Sequence, residues 1–186
     1  MKFKGSDIEL FWIHPERFTP RRVPPNYRKA LYMKLQILDA ACDLKDLRIP
    51  PNNRLEKLKG DRAGQYGIRV NSQWRLFLLG SIKDPRGLSS VTAINSYSYI
   101  STPGEILIEE FLEPMGISQY RLAKAIHKPQ SAISDTVHGR RSITTEMAWL
   151  LSQALGTTPE FWLNLEMTYQ IKTFDSSKLP PVVACC

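Results

Sequence analysis

The sequence predicts an α+β amino-terminal domain, helices on a small antiparallel sheet, followed by an all-α domain of five helices. Three observations predict it. The apolar period over residues 26–95 switches from helical spacing to alternation. Helical spacing with strong capping signals returns at residue 103. Charge also changes sign: of the net +7, residues 1–100 carry +9 and residues 101–186 carry −2. A chain of 186 residues, 42% hydrophobic and 10% aromatic, has room for one or two cores and enough apolar surface to fold. No apolar run approaches the ~18 residues of a membrane helix, and the amino end lacks the apolar core of a signal peptide. The three cysteines, Cys42, Cys185 and Cys186, make no disulfide framework. Secreted, stapled and membrane-spanning classes are therefore excluded, and a cytoplasmic protein is expected.

Residues 26–41 place Tyr27, Ala30, Leu31, Leu35, Leu38 and Ala41 three or four apart, one face of an amphipathic helix that Asn26 can cap. Pro50-Pro51-Asn52-Asn53 breaks the chain. Alternation begins loosely over residues 54–58 and cleanly over 64–70. After a turn at Asn71-Ser72, residues 73–79 read as a buried strand. A turn over 83–87 and a last strand over 90–95 complete a meander, giving the α+β class.

Lys59, Arg62, Arg69 and Arg75 supply cations around a hairpin whose alternation puts every second side chain on one face. The run Leu58-Lys59-Gly60-Asp61-Arg62, then Gly64, Tyr66, Ile68-Arg69-Val70-Asn71 and Trp74-Arg75, resembles the killer-protein (HigB) branch of the RelE-like toxins across residues 20–100. The resemblance implies a helix pair on a small antiparallel sheet and cleavage of messenger RNA on the ribosome, here through residues 54–99. It assigns Lys59 and Arg75 to transition-state charge. Arg62 and Arg69 are better placed for backbone phosphates, the alternative for each being a solvated strand cation. Glu56 stands where relatives carry a histidine; a carboxylate there can act as a base, yet it repels phosphate. Tyr99 or Tyr97 can donate a proton or stack a base. His14 lies outside the motif and reads as a surface residue.

Residues 103–115 form the next helix. Pro103 suits its first turn, Glu105 its positive end, and Ile106, Leu107, Phe111 and Leu112 its apolar side; Gly116 ends it. Ser118 caps residues 119–126. After His127-Lys128, Pro129 opens a helix closed by His138-Gly139. Leu122, Ile126, Ile133 and Val137 share a core across the pair, with small Ala123 at the crossing, which is the spacing of a DNA-reading helix-turn-helix. The leading residues of the second helix reach base edges, so Gln130 and Ser131 point into the major groove. Ser134 and Asp135 follow a turn later. Glutamine suits adenine, and aspartate can accept from cytosine. Gln119, Lys128, Arg140 and Arg141 are placed for phosphates, and the alternative is a solvated helix face. Residues 144–155 and 158–174 finish the bundle, where Trp149, Phe161, Trp162 and Leu165 fill a core or a homodimer seam. This half resembles the Cro/repressor family. Through residues 103–107 and Glu160-Phe161-Trp162-Leu163-Asn164-Leu165 it resembles the HigA-type antitoxins over 102–172. That family usually has glycine at the position of His127, which implies a strained backbone there.

The chain thus divides into a toxin-like part, 1–98, an antitoxin-like part, 99–174, and a frayed tail, 175–186. The seam is short, and a basic half beside an acidic one suits two parts that contact each other. Together the resemblances imply a type II toxin–antitoxin protein. Its messenger-RNA-cleaving half, restrained or degraded, is carried by an autorepressor that binds operator DNA through residues 118–141. A homodimer through the carboxy-terminal domain is expected, with no metal, cofactor or membrane. The competing class is a DNA-binding transcriptional regulator whose toxin-like half is inactive and serves as an interaction module.

Overall fold

The computed structural model describes residues 6–15, 17–18, 20, 23–59, 63–72, 74–78 and 100–175. Helix α1 (Ser6–Ile13), which no periodicity marked, opens the fold. A 3-10 turn at Pro25–Tyr27 leads into α2 (Arg28–Ala40). Asn26 lies inside that turn and does not cap α2; Tyr27 holds the cap position without a side-chain bond, which corrects the expected start. The short α3 (Leu44–Arg48) is held by a reciprocal cap between Asp43 and Asp46. A second 3-10 turn, Pro51–Asn53, ends at Arg54 in the left-handed region, φ +40°.

The sheet is antiparallel in the order β1 (Glu56–Lys57), β2 (Tyr66–Arg69), β3 (Arg75–Leu78). Its register pairs Glu56 with Gly67, Gly67 with Phe77 and Arg69 with Arg75. Directly opposed residues share a face, so Glu56, Arg69 and Arg75 stand on one side while Ile68, Leu76 and Leu78 are buried on the other. The strand expected at 90–95 lies outside the described residues.

The second half starts as one helix in three parts: α4 (Pro103–Ile106), a wider π segment (Leu107–Leu112) and α5 (Glu113–Met115). Thr102 and Glu105 form a capping box at its start. Pro114 has no N–H to offer, and just before it the helix widens, with the Glu113 N–H donating to Ile108 O, five residues back. Gly116, at φ +64°, ends it. Four helices follow: α6 (Gln119–Ala125), α7 (Gln130–Val137), α8 (Thr145–Leu155) and α9 (Pro159–Thr173). Ser118, Thr144 and Thr158 cap three of them with their hydroxyls. Gly104 permits α4 to cross the back of α7: a Cβ there would lie 2.1 Å from Thr136 O.

One hydrophobic cluster runs through both halves, from Ile8 and Phe11 through α2 and the sheet to Phe111, Phe161 and Trp162. Helix α9 lies along α2. Every residue of α2 from 31 to 38 is buried, so this helix is covered on more than the single face its spacing marked. Phe161, Trp162 and Leu165 are core residues, whereas Trp149 is 55% exposed. Among the described residues no helix is long and apolar enough to cross a membrane.

Candidate nucleic-acid interfaces

In the second half, Leu122, Ile126, Ile133 and Val137 are buried between α6 and α7 as their spacing required. The tight turn between them puts His127 at φ +53°, a left-handed conformation that costs a residue with a Cβ. The Lys128 N–H closes the turn onto Ala123 O at 3.0 Å. With its inner side fixed, α7 turns Gln130 and Ser131 to solvent at its leading end. Their side chains make no hydrogen bond among the described residues. Ser134 is half-buried, its hydroxyl 3.4 Å from His138 Nδ1. Asp135 is already engaged, since its Oδ1 accepts from Arg140 Nε at 3.0 Å. That pair ties Asp135 to Arg140, another of the candidate DNA contacts. Lys128 donates to Glu146 Oε1 at 2.7 Å. Gln119 is half-buried, and Arg140 and Arg141 are exposed. Tyr120, 62% exposed beside Gln119, belongs to the same outer surface and was not among the sequence candidates.

In the first half the candidates are partly brought together. Arg75 Nη1 donates to Glu56 Oε1 at 2.5 Å, so the cation expected to face phosphate has an internal counter-charge. Arg69 stands opposite Arg75 and donates from Nε to Asn71 O at 2.8 Å. Lys59 is exposed. Arg62 and Tyr99, like Tyr97, lie outside the described residues. His14 is exposed. A cleft of about 410 Å³ opens beside this face, lined by Lys34, Arg54, Arg69, Asn71, Glu109 and Glu110. Its walls come from both halves of the chain.

Contact between the halves was expected from their charges, but the residues that make it were not. Lys29 Nζ bridges Glu105 Oε1 at 3.3 Å and Glu109 Oε1 at 2.9 Å. Burial pulls the Lys29 ammonium down, but the hydrogen bond and field of Glu109, with Glu105, hold it above its ordinary value. Lys34 is buried, bonded to Glu110 and, at 2.9 Å, to Asn53 Oδ1. Desolvation pushes its pKa down against the pull of Glu110. The Gln36 amide pairs with both backbone groups of Ser101 at 2.8 and 3.0 Å. Asp46 accepts from Thr158 N at 2.7 Å and Thr158 Oγ1 at 2.8 Å, so the first half completes the cap of α9. Lys172 donates to Trp12 O at 2.6 Å and sits 3.3 Å over the Trp12 ring. One signal was available: Lys34 lies on the stripe of Leu31, Leu35 and Leu38, a lysine at a core-facing position. Among the described residues no group of three or more His, Cys, Asp or Glu side chains is placed to hold a metal ion.

Comparison with known proteins resolves two matched segments. Residues 1–80 match the family described as the RelE-like toxin of the type II toxin–antitoxin system HigB, and residues 108–162 match the helix-turn-helix family. Toxin HigB-1 of Vibrio cholerae is 46% identical over 41% of this chain and 78% of its own length. Antitoxin HigA-1 of the same organism is 46% identical over 34% of this chain and 59% of its own length. A solved structure of the antitoxin GraA in complex with its operator aligns at 35% identity over 45% of this chain and 92% of that one, with a TM-score of 0.40.

Proposed function

Because the chain belongs to the HigB-like toxin family through residues 1–80 and to the helix-turn-helix family through residues 108–162, a toxin and its antitoxin-like partner in one polypeptide, we propose that it is an operator-binding autorepressor carrying a restrained messenger-RNA-cleaving half. The observation that carries the DNA reading is the leading end of α7. Gln130 and Ser131 are exposed there, with no side-chain hydrogen bond among the described residues, while the opposite side of the helix is locked into the core. Glutamine at that place suits an adenine edge. Gln119, Lys128, Arg140 and Arg141 flank it as phosphate contacts, with Asp135 holding Arg140. In this reading the parts are residues 1–98 and 99–174, and the protein works in the cytoplasm.

The test is binding of the full chain to the DNA upstream of its own reading frame. The Gln130→Ala, Ser131→Ala variant should lose preference for that sequence over unrelated duplex and keep the salt-dependent non-specific affinity. Equal preference in both proteins removes the assignment.

A homodimer would present two such tips to two half-sites. Met167 and Ile171, 54% and 69% exposed, lie one turn apart on α9, and with Phe174, 60% exposed just past its end, they supply an apolar surface for it. Sedimentation of the full chain as a monomer at micromolar concentration would remove this part.

For the first half, ribosome-dependent RNA cleavage rests on Lys59 and Arg75, with Arg62 and Arg69 on phosphates and Glu56 or Tyr99 moving protons. The Glu56–Arg75 pair favours the second reading, in which this half is inactive and serves as an interaction module. Messenger-RNA cleavage by residues 1–100 without the second half, abolished in Lys59→Ala, Arg75→Ala, supports the enzyme; no cleavage by a folded 1–100 segment supports the module.

A further inference from the structure

The cleft beside the arginine face has an ownership that the charge count of either half conceals. Among the described residues, three cations of the first half line it, Lys34, Arg54 and Arg69, and a fourth, Lys29, is bonded to its Glu109. The second half brings two carboxylates to the same lining. Glu105 and Glu109 hold Lys29, Glu110 holds Lys34, and Glu109 and Glu110 themselves line the cleft. A lining that would carry three positive charges without the second half is left with one. Phosphates approaching within a Debye length of about 8–10 Å sense that sum rather than single residues.

We propose that the first helix of the antitoxin-like half mutes RNA binding in cis, its Glu109 carboxylate standing between single-stranded RNA and the cations that open onto the cleft. The inference rests on the reading that the Arg69 face meets RNA, and it names how that face is regulated. No dissociation of the halves is involved: the muting is a standing charge balance at a joint that stays closed. Glu109 and Lys29 are both more than two-fifths exposed, and exposed pairs of this kind add little stability. Removing the Glu109 carboxylate therefore leaves the fold in place, with Lys29 still held by Glu105.

The experiment measures anisotropy of a short fluorescein-labelled single-stranded RNA with the full chain as wild type, Glu109→Gln, Arg69→Ala and the double variant. Thermal midpoints establish that all four are folded. Glu109→Gln should bind about three- to tenfold tighter at low salt, the gain shrinking as salt screens it. The slope of log affinity against log salt should steepen by about 0.7 for each phosphate contact recovered. In the double variant the gain should vanish. Wild-type affinity in Glu109→Gln, with weakened binding in Arg69→Ala, overturns the muting and leaves the RNA face standing. A gain that survives in the double variant overturns it as well, because the charge then acts elsewhere. Indifference of RNA binding to both substitutions overturns the muting together with the reading beneath it.

Discussion

The seam and the tip of α7 use the same kinds of side chain in opposite ways. At the seam, Lys34, Gln36, Asp46 and Lys172 are all bonded across to the other half, several of them fully buried. At the tip, Gln130 and Ser131 face solvent and bond to nothing described. Buried polar groups without partners are costly, so the seam is specified down to single atoms. Exposed ones cost nothing to leave open, and they remain available to an outside partner. The sheet face falls between the two, because Arg75 is exposed enough to meet a ligand yet already answered by Glu56. The contrast separates substitutions that change stability from those that change recognition.

Lys34→Met should have the largest effect. It strands the buried Glu110 carboxylate and should cost about 3–5 kcal/mol in urea unfolding, whereas Lys34→Met, Glu110→Leu together should recover most of that loss. Neither should alter DNA sequence preference. The pair also makes a pH prediction. The folded Lys34 pKa is depressed below its ordinary 10.5, so between the two values the unfolded chain binds more protons. Stability contributed by this group therefore rises with pH across that window, and the slope should disappear in the double variant. A single variant as stable as the wild type would break the claim that the seam is tightly specified.

Gln130→Ala should cost about 1–3 kcal/mol of discrimination between operator and unrelated duplex and change unfolding by under about 0.5 kcal/mol. A tip substitution that mainly destabilised the fold would erase the contrast. His127→Gly, in the turn behind the tip, should stabilise by about 0.5–1 kcal/mol, since glycine meets the left-handed backbone without a Cβ penalty. Thermal unfolding checks it. Smallest of all, Glu56→Gln should move stability by about 0–1 kcal/mol, as befits an exposed pair. It should tighten single-stranded RNA binding by releasing Arg75, which anisotropy would detect.

Local signals in the sequence were enough for much of the second half. Ser118, Thr144 and Thr158 announce helix starts because a hydroxyl before an apolar run satisfies orphan N–H groups, and each does so here. The spacing of Leu122, Ile126, Ile133 and Val137 located the reading helix and hence its outward residues. The left-handed His127 followed from the family position rather than from spacing. The seam was illegible for a different reason. Lys29 and Glu109 are 80 residues apart, and Asp46 and Thr158 are 112 apart; no periodicity encodes a partner at such distance. Helix α2 shows the limit most clearly. Its apolar stripe was readable, but the burial of Gln36 and Ile37 on other sides depends on α9 and Ser101 being present. The Glu56–Arg75 pair was equally hidden, since residue types alone do not reveal that two candidates for catalysis neutralise each other.

The cap that Asp46 places on α9 has a consequence in time. A ribosome adding about 5–20 residues each second needs roughly 6–22 s to travel from that aspartate to the threonine it will hold. For that interval the newborn amino-terminal segment waits with its greasy helix bare of α9. Translation order, and not the finished architecture, decides how long the protein is vulnerable to aggregation or to capture by a chaperone.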